Sequence, residues 1–179
     1  MKSKLLILSL LAALTVSAVA PLVGGRAMAA TPAAPVANAT QTHLAIFDKT
    51  RFLAHAGIAF FIIHHEYGRY KQGYFSAGTS GRVKHLAIAA LALAISVHEA
   101  KVAYGIAEKS NSKTLHALAS PFSALATTMD GIRGKFAKGQ GSDADIQTLN
   151  TSATSINGMA TSNGLGAIKD VSTPLPSAA

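Results

Sequence analysis

The chain has 179 residues, of which 49% are apolar and 13% charged, with a formal net charge of +8 and neither Cys nor Trp. This length suits one domain, and the apolar fraction is too high for a disordered chain. A sequence without cysteine excludes disulfide scaffolds, thiolate metal sites and covalent c-type haem, and the Ala-rich, aromatic-poor composition favours helices over a β-sandwich.

The N-terminal segment has the features of a secretory signal peptide. Lys2 and Lys4 precede an uncharged run from Leu5 to Ala20, and Ala27-Met28-Ala29 offers the small-x-small pattern of a cleavage site. We therefore predict a signal peptide over 1–29 and a secreted or periplasmic protein. An uncleaved membrane anchor is the alternative.

Segments rich in Pro, Ala and Ser flank the predicted domain. Residues 30–41 (ATPAAPVANATQ) predict a flexible linker. Residues 172–179 contain Pro174 and Pro176 and predict a disordered tail. The domain between them is expected to span 42–171.

The first two predicted helices are strongly apolar. The first spans about 42–70, and its centre from Phe52 to Ile63 is apolar except at His55; the second spans about 80–109 and has a small face of Ala and Ser residues. Helices that are apolar nearly all round are buried, and runs of about twelve apolar residues are too short to cross a bilayer. We expect no transmembrane segment in the mature chain. The short connection predicts an antiparallel hairpin.

The third and fourth predicted helices each carry an apolar stripe. Seven residues of the third recur at alternating spacings of three and four, as in the seam of a bundle: Leu115, Leu118, Phe122, Leu125, Met129, Ile132 and Phe136. Pro121 predicts a kink or a helix start capped by Ser120. Ser142 and Asp145 form a capping-box pattern before the fourth helix, whose end is expected to fray beyond Gly158. The fold class is an all-α, up-and-down four-helix bundle after a cleaved signal peptide.

Histidines are the first candidate site. Antiparallel pairing of the first two helices brings His64 and His65 level with His85, and His55 within about a turn of His98. Imidazoles from two helices suit Cu²⁺ or Zn²⁺, or a non-covalent haem, so a metal site of His64, His65, His85 and His98 is one hypothesis. The competing interpretation is structural: polar residues at the helix end and a buried, hydrogen-bonded His98.

The turn between the first two helices is the second candidate site. It interleaves tyrosines with cations, a pattern that suits an anionic envelope component or polysaccharide. The predicted contact residues are Tyr67, Arg69, Tyr70, Lys71, Tyr74, Arg82 and Lys84. The competing interpretation has the tyrosines close the bundle end while the cations stay in water. No nucleic acid is expected as partner of an exported protein, and the Ala-rich face of the second helix permits a homodimer.

Catalytic motifs are not found. Gly78-Thr79-Ser80-Gly81 is not a nucleophile elbow, and Gly131 to Phe136 lacks the spacing of a phosphate-binding loop. Neither His65 nor His98 begins a zincin motif. The sequence thus predicts a non-enzymatic bundle with a binding or structural role in the periplasm or envelope, contacting an anionic partner through the basic-aromatic turn. The alternative is a histidine-based binder of Cu, Zn or non-covalent haem.

Overall fold

A computed structural model describes the backbone of residues 37–176 and the side chains of residues 46–176. The predicted signal peptide, its cleavage site, linker residues 30–36 and residues 177–179 lie outside the described part of the chain. Within that part the protein is all-helical, without strands. The helices are α1 (Ala37–Lys71), α2 (Arg82–Lys109), α3 (Lys113–Ala137) and α4 (Asp143–Ser162).

The four helices form a bundle. Each consecutive pair is in contact, and α1 also contacts α4, so the helices close a ring around one core. Long-range bonds define the directions: Ser96 Oγ donates to the Ala59 carbonyl (3.0 Å), Lys135 Nζ to Asp145 (2.6 Å), and Gln147 Nε2 to the Tyr70 hydroxyl (2.7 Å). The antiparallel hairpin of the first two helices is therefore present, displaced from the predicted register by about one turn.

The predicted α3 seam is buried along its whole length. Phe122 is fully buried at its centre, with its ring 5.0 Å from that of Phe52 and 5.9 Å from that of Phe60. The helix begins after Ser112, whose side chain accepts a hydrogen bond from the Leu115 amide, and it continues through Pro121. The alternative of a helix start at Ser120 is therefore wrong.

The small face of α2 is the face that the bundle buries, because alanines allow close approach of neighbouring backbones. Ala92, Ala100 and Ala103 are inaccessible, whereas Leu91 on the other side is 60% exposed. Among the described helices, α2 is the one that is long and apolar enough to cross a membrane by composition. More than half of the residues in its apolar segment are buried inside the bundle.

Two element boundaries differ from the sequence expectations. Residues 37–41, expected to be linker, form the first turn of α1. The α4 helix continues past Gly158 to Ser162. Its start follows the prediction: the Ser142 side chain accepts from the Asp145 amide, and Asp145 accepts from the Ser142 amide, which is the complete capping box.

Residues 163–176, here called the C-terminal segment, lack regular secondary structure and run along α1. Leu165 and Ile168 are buried, and the Ile168 amide donates to Asn157 Oδ1 (2.7 Å). The Val171 amide donates to the Gly57 carbonyl (3.0 Å). A Cβ at position 57 would overlap the Lys169 carbonyl oxygen and lie 2.7 Å from Val171 Cγ2, so this approach requires glycine.

Gly141 provides a stability test in the turn before α4. A Cβ there would overlap the ring of buried Phe136. Gly141→Ala is expected to lower the free energy of unfolding by about 1–3 kcal/mol, as overpacking does, measured by urea unfolding. Gly134→Ala is the matched control, because a Cβ at this α3 position meets nothing within 4 Å. This control should stabilise the protein by up to about 1 kcal/mol; equal effects of the two changes would contradict the packing argument.

Candidate functional site

The turn between α1 and α2 folds over one end of the bundle. Phe75 is buried there, with its ring 5.6 Å from that of Phe136. The Thr79 hydroxyl donates to the Gly73 carbonyl (2.9 Å). Gly73, Gly78 and Gly81 have positive φ angles of 80°, 84° and 71°, which suit glycine. The basic-aromatic turn between α1 and α2 is therefore an ordered loop that packs around the buried Phe75.

Arg82 joins this turn to the one between α3 and α4. Its Nε donates to the Phe75 carbonyl (2.8 Å), and its two terminal nitrogens donate to the carbonyls of Gly139 (3.3 Å) and Gly141 (3.0 Å). The guanidinium thus satisfies backbone acceptors of two loops. The role of Arg82 in the structure is to connect the two loops, so Arg82 does not belong to the contact surface that the sequence predicts.

Arg69 also has partners within the protein. Its Nη1 donates to both carboxylate oxygens of Glu66 (3.2 and 3.0 Å), and its Nη2 donates to His85 Nδ1 (3.1 Å). The guanidinium carbon lies 5.6 Å from the centroid of the Tyr74 ring and 5.5 Å from that of Phe75. Because the Arg69 side chain is only 14% exposed, it is not part of the outer surface that a polymer can contact.

Glu66 is the buried acid that explains Arg69. It is 1% exposed, and burial raises the pKa of its carboxyl above the ordinary value, while the charge and hydrogen bonds of Arg69 oppose that rise. A buried carboxylate needs such a partner. The sequence shows Glu66 and Arg69 one turn apart, which is equally common on exposed helix faces. Only the burial of Glu66 distinguishes this pair from an ion pair on an exposed helix face.

The predicted tyrosines divide into two groups. On one side the rings of Tyr67 and Tyr70 are 5.7 Å apart, and Lys71 Nζ lies 5.8 Å from the Tyr67 centroid. On the other side Tyr74 packs 4.7 Å from the His85 ring. All three tyrosines are half-buried, so they both close the bundle end and present part of their rings to solvent.

The exposed lysines at this end include Lys71 and Lys84 beside the first turn and Lys138 at the end of α3. Lys135, also exposed, pairs with Asp145 (2.6 Å). A cation at the C-terminal end of a helix complements the helix dipole, and that alone accounts for a lysine at position 138. The hydrogen bonds of Arg82 bring the loop after Lys138 against the first turn. No local sequence pattern indicates that the two loops adjoin.

The four predicted metal ligands do not converge. His64 Nδ1 lies 2.9 Å from Asp170 of the C-terminal segment, whereas His98 is exposed on the outer side of α2, so the alternative of a buried His98 is wrong. Burial and the Arg69 charge lower the pKa of His65 below its ordinary value. In the part of the chain with described side chains, no three His, Asp or Glu residues group so as to hold a metal ion.

Two carboxylate–imidazole pairs link distant parts of the chain. His55 Nδ1 lies 2.5 Å from Glu99 on α2, and His64 pairs with Asp170, 106 residues away. Antiparallel packing of α1 and α2 predicts the approximate position of the His55–Glu99 pair, because it brings His55 near the middle of α2. The second depends on the path of the C-terminal segment, which no periodicity predicts.

Comparisons with protein-family models, curated proteins and solved structures find no match to this chain. The candidate site therefore rests on its own geometry: two loops joined by Arg82, a buried Glu66–Arg69 pair, half-buried tyrosines and three exposed lysines.

Proposed function

We propose that this protein is an exported, non-enzymatic binding protein of the periplasm or cell envelope. We propose that it binds an anionic envelope polymer at the end of the bundle where Arg82 connects the α1–α2 turn to the α3–α4 turn. The contact surface consists of Lys71, Lys84 and Lys138 together with Tyr67, Tyr70 and Tyr74. Relative to the sequence hypothesis, it loses Arg69 and Arg82 and gains Lys138.

The observation that carries this proposal is the hydrogen bonding of Arg82 to Phe75, Gly139 and Gly141. Because these bonds hold the two loops together, the exposed lysines next to both loops lie at the same end of the bundle. A rigid array of cations loses less entropy on binding a polyanion than cations on separate flexible loops. The neighbouring tyrosine rings offer flat apolar faces to sugars or other polymer units.

The experiment uses dextran sulfate as the anionic polymer and neutral dextran as its uncharged counterpart. We expect the triple change of Lys71, Lys84 and Lys138 to Ser to weaken dextran sulfate binding at low salt about tenfold. This corresponds to about 0.5 kcal/mol for each exposed cation. Raising the salt concentration should shrink the difference, because screening weakens exposed charge interactions. Binding is measured by isothermal titration calorimetry.

The matched control changes Lys101, Lys109 and Lys113 to Ser, three exposed lysines away from the joined turns. Both triple variants have the same net charge, so the control separates a local surface from a general charge effect. Equal weakening by the two triple changes, or no weakening by the first, would refute the proposal.

The alternative of a histidine-based metal or haem site has less support: among the described side chains the four histidines do not form one group, although His65 and His85 line the same cleft. His64 faces Asp170, and His98 is on the outer face of α2. Binding of an anionic polymer is therefore the function that we propose.

A further inference from the structure

A cleft of about 530 Å³ opens between α1, α2 and the C-terminal segment. This volume is within the range of small-molecule sites, about 300–1,000 Å³. Polar and apolar groups line it from three parts of the chain: His65, Arg69, Gln72, Tyr74, His85, Ile88, Leu175 and Pro176. The polyanion proposal uses only Tyr74 of this set, so the inference that follows does not rest on it.

The polar wall is held in place and directs hydrogen-bond donors to the cleft. Arg69 Nη2 donates to His85 Nδ1 (3.1 Å), and a guanidinium cannot accept, so Nδ1 must be the acceptor. In the neutral ring the proton is then on Nε2, which is a donor available to a ligand. The Tyr74 ring packs 4.7 Å from His85 and fixes the imidazole from one side.

The charges of the cleft nearly cancel. The guanidinium of Arg69 is 3.0 Å from Glu66, and burial and the Arg69 charge lower the pKa of His65, which favours the neutral imidazole. A fixed cation beside the donors disfavours a metal ion. A nearly neutral set of N–H donors suits one negative charge better than the two of a phosphate dianion.

The opposite wall is apolar and comes partly from the C-terminal segment. Ile88 of α2 faces the cleft together with Leu175 and Pro176. The segment reaches this position because it is fastened to α1 at two points, the Val171–Gly57 backbone bond (3.0 Å) and the Asp170–His64 pair (2.9 Å). The cleft therefore has a donor side and an apolar side, and Leu175 and Pro176 of the apolar side belong to neither α1 nor α2.

From this arrangement we infer that the cleft binds a small monocarboxylate with an apolar tail. The carboxylate accepts hydrogen bonds from His85 Nε2 and the adjoining guanidinium of Arg69. The tail lies against Ile88, Leu175 and Pro176. The C-terminal segment is thus part of the binding site as its apolar cover.

The first test titrates the full chain with acetate, butyrate and hexanoate, and separately with inorganic phosphate, at pH 7.5. Each methylene that is buried should tighten binding about fourfold, so butyrate should bind about fifteenfold more tightly than acetate. Tyrosine fluorescence provides the readout, because Tyr74 lines the cleft and the chain has no Trp. Affinity independent of tail length, or phosphate binding at least as tight as that of butyrate, would overturn the proposal.

The second test separates the two walls. His85→Ala should weaken binding of all three carboxylates at least tenfold, whereas His98→Ala, at an exposed position of the same helix, should change nothing. Gly57→Ala introduces a Cβ that overlaps the C-terminal segment and should lift it from α1. This variant should retain acetate binding and lose most of the increase in affinity from acetate to hexanoate, since only Ile88 of the apolar side remains in place.

Circular dichroism and urea unfolding confirm that each variant is folded. Because Gly57→Ala leaves Arg69 and His85 intact, it tests the site even if His85→Ala is unstable. Full tail-length dependence in folded Gly57→Ala would show that the C-terminal segment is not the apolar wall. Unchanged affinity in folded His85→Ala would show that the donor wall is not the carboxylate site.

Discussion

Arg69→Met is expected to lower the free energy of unfolding at pH 7.5 by about 3–5 kcal/mol, the usual cost of removing one partner from a buried ion pair. The reason is Glu66, which is 1% exposed and receives hydrogen bonds from Arg69 at 3.0 and 3.2 Å. Methionine retains much of the apolar stem but leaves the carboxylate without its cation. Urea unfolding followed by circular dichroism at 222 nm measures the loss.

The loss of unfolding free energy in Arg69→Met should be smaller at low pH than at high pH. Burial already raises the pKa of Glu66, and removing Arg69 removes the two influences that oppose the rise. A carboxyl whose folded-state pKa is raised binds its proton more tightly in the folded protein. Its stabilising contribution is therefore complete below the unfolded pKa and is lost as pH rises through the folded value. Arg69→Met should accordingly be less destabilised at pH 5 than at pH 7.5.

The double variant Glu66→Gln, Arg69→Met is the matched control for this pH effect. It keeps the shape of the buried group but removes its titration, so the difference between the two variants isolates Glu66 from the histidines. A loss below about 1 kcal/mol for the single variant, or identical pH dependence of both variants, would mean that Glu66 is solvated in the folded protein.

Phe122→Ala is expected to cost about 3–5 kcal/mol of unfolding free energy, as deletion of a buried aromatic ring does. Its ring is fully buried, packs edge-on to Phe52 at 5.0 Å and stacks on Phe60 at 5.9 Å with planes 5° apart. The substitution therefore opens a cavity where α1 meets α3. Urea unfolding measures the cost.

Phe47→Ala is the control for Phe122→Ala, because Phe47 is 59% exposed. Its ring contacts Arg51, whose guanidinium carbon is 5.6 Å from the ring centroid. Such an exposed cation–π pair contributes about 0.5–1 kcal/mol. If both Phe changes cost the same, the centre of the core has been assigned to the wrong residues.

The helices are predictable from the sequence because the signals that define them are local. The α3 seam from Leu115 to Phe136 is predicted from spacing alone, since a repeat of three and four residues places all its members on one face. Ser142 and Asp145 predict the start of α4 because a capping box involves only neighbouring residues. The hairpin of α1 and α2 follows from its short connection, although its register differs by about one turn.

The candidate site could be predicted only in part. The basic-aromatic turn does lie at one end of the bundle, and Tyr67, Tyr70 and Lys71 do adjoin one another. Arg69 and Lys71 look alike in the sequence, yet one neutralises a buried acid and the other is exposed. That difference depends on which direction each residue faces once α2 and the turn have packed, which composition does not encode.

The helical class, the α3 seam and the α4 cap can all be derived from the amino-acid order, because each depends on residues within a few turns of one another. The contacts of Arg82 with Gly139 and Gly141, 57 and 59 residues away, and of His64 with Asp170 arise only when the chain has folded. The tertiary structure also decides that the C-terminal segment passes over Gly57 to form a wall of the cleft. These contacts join residues far apart in sequence, and their geometry exists only when the core has brought the helices together.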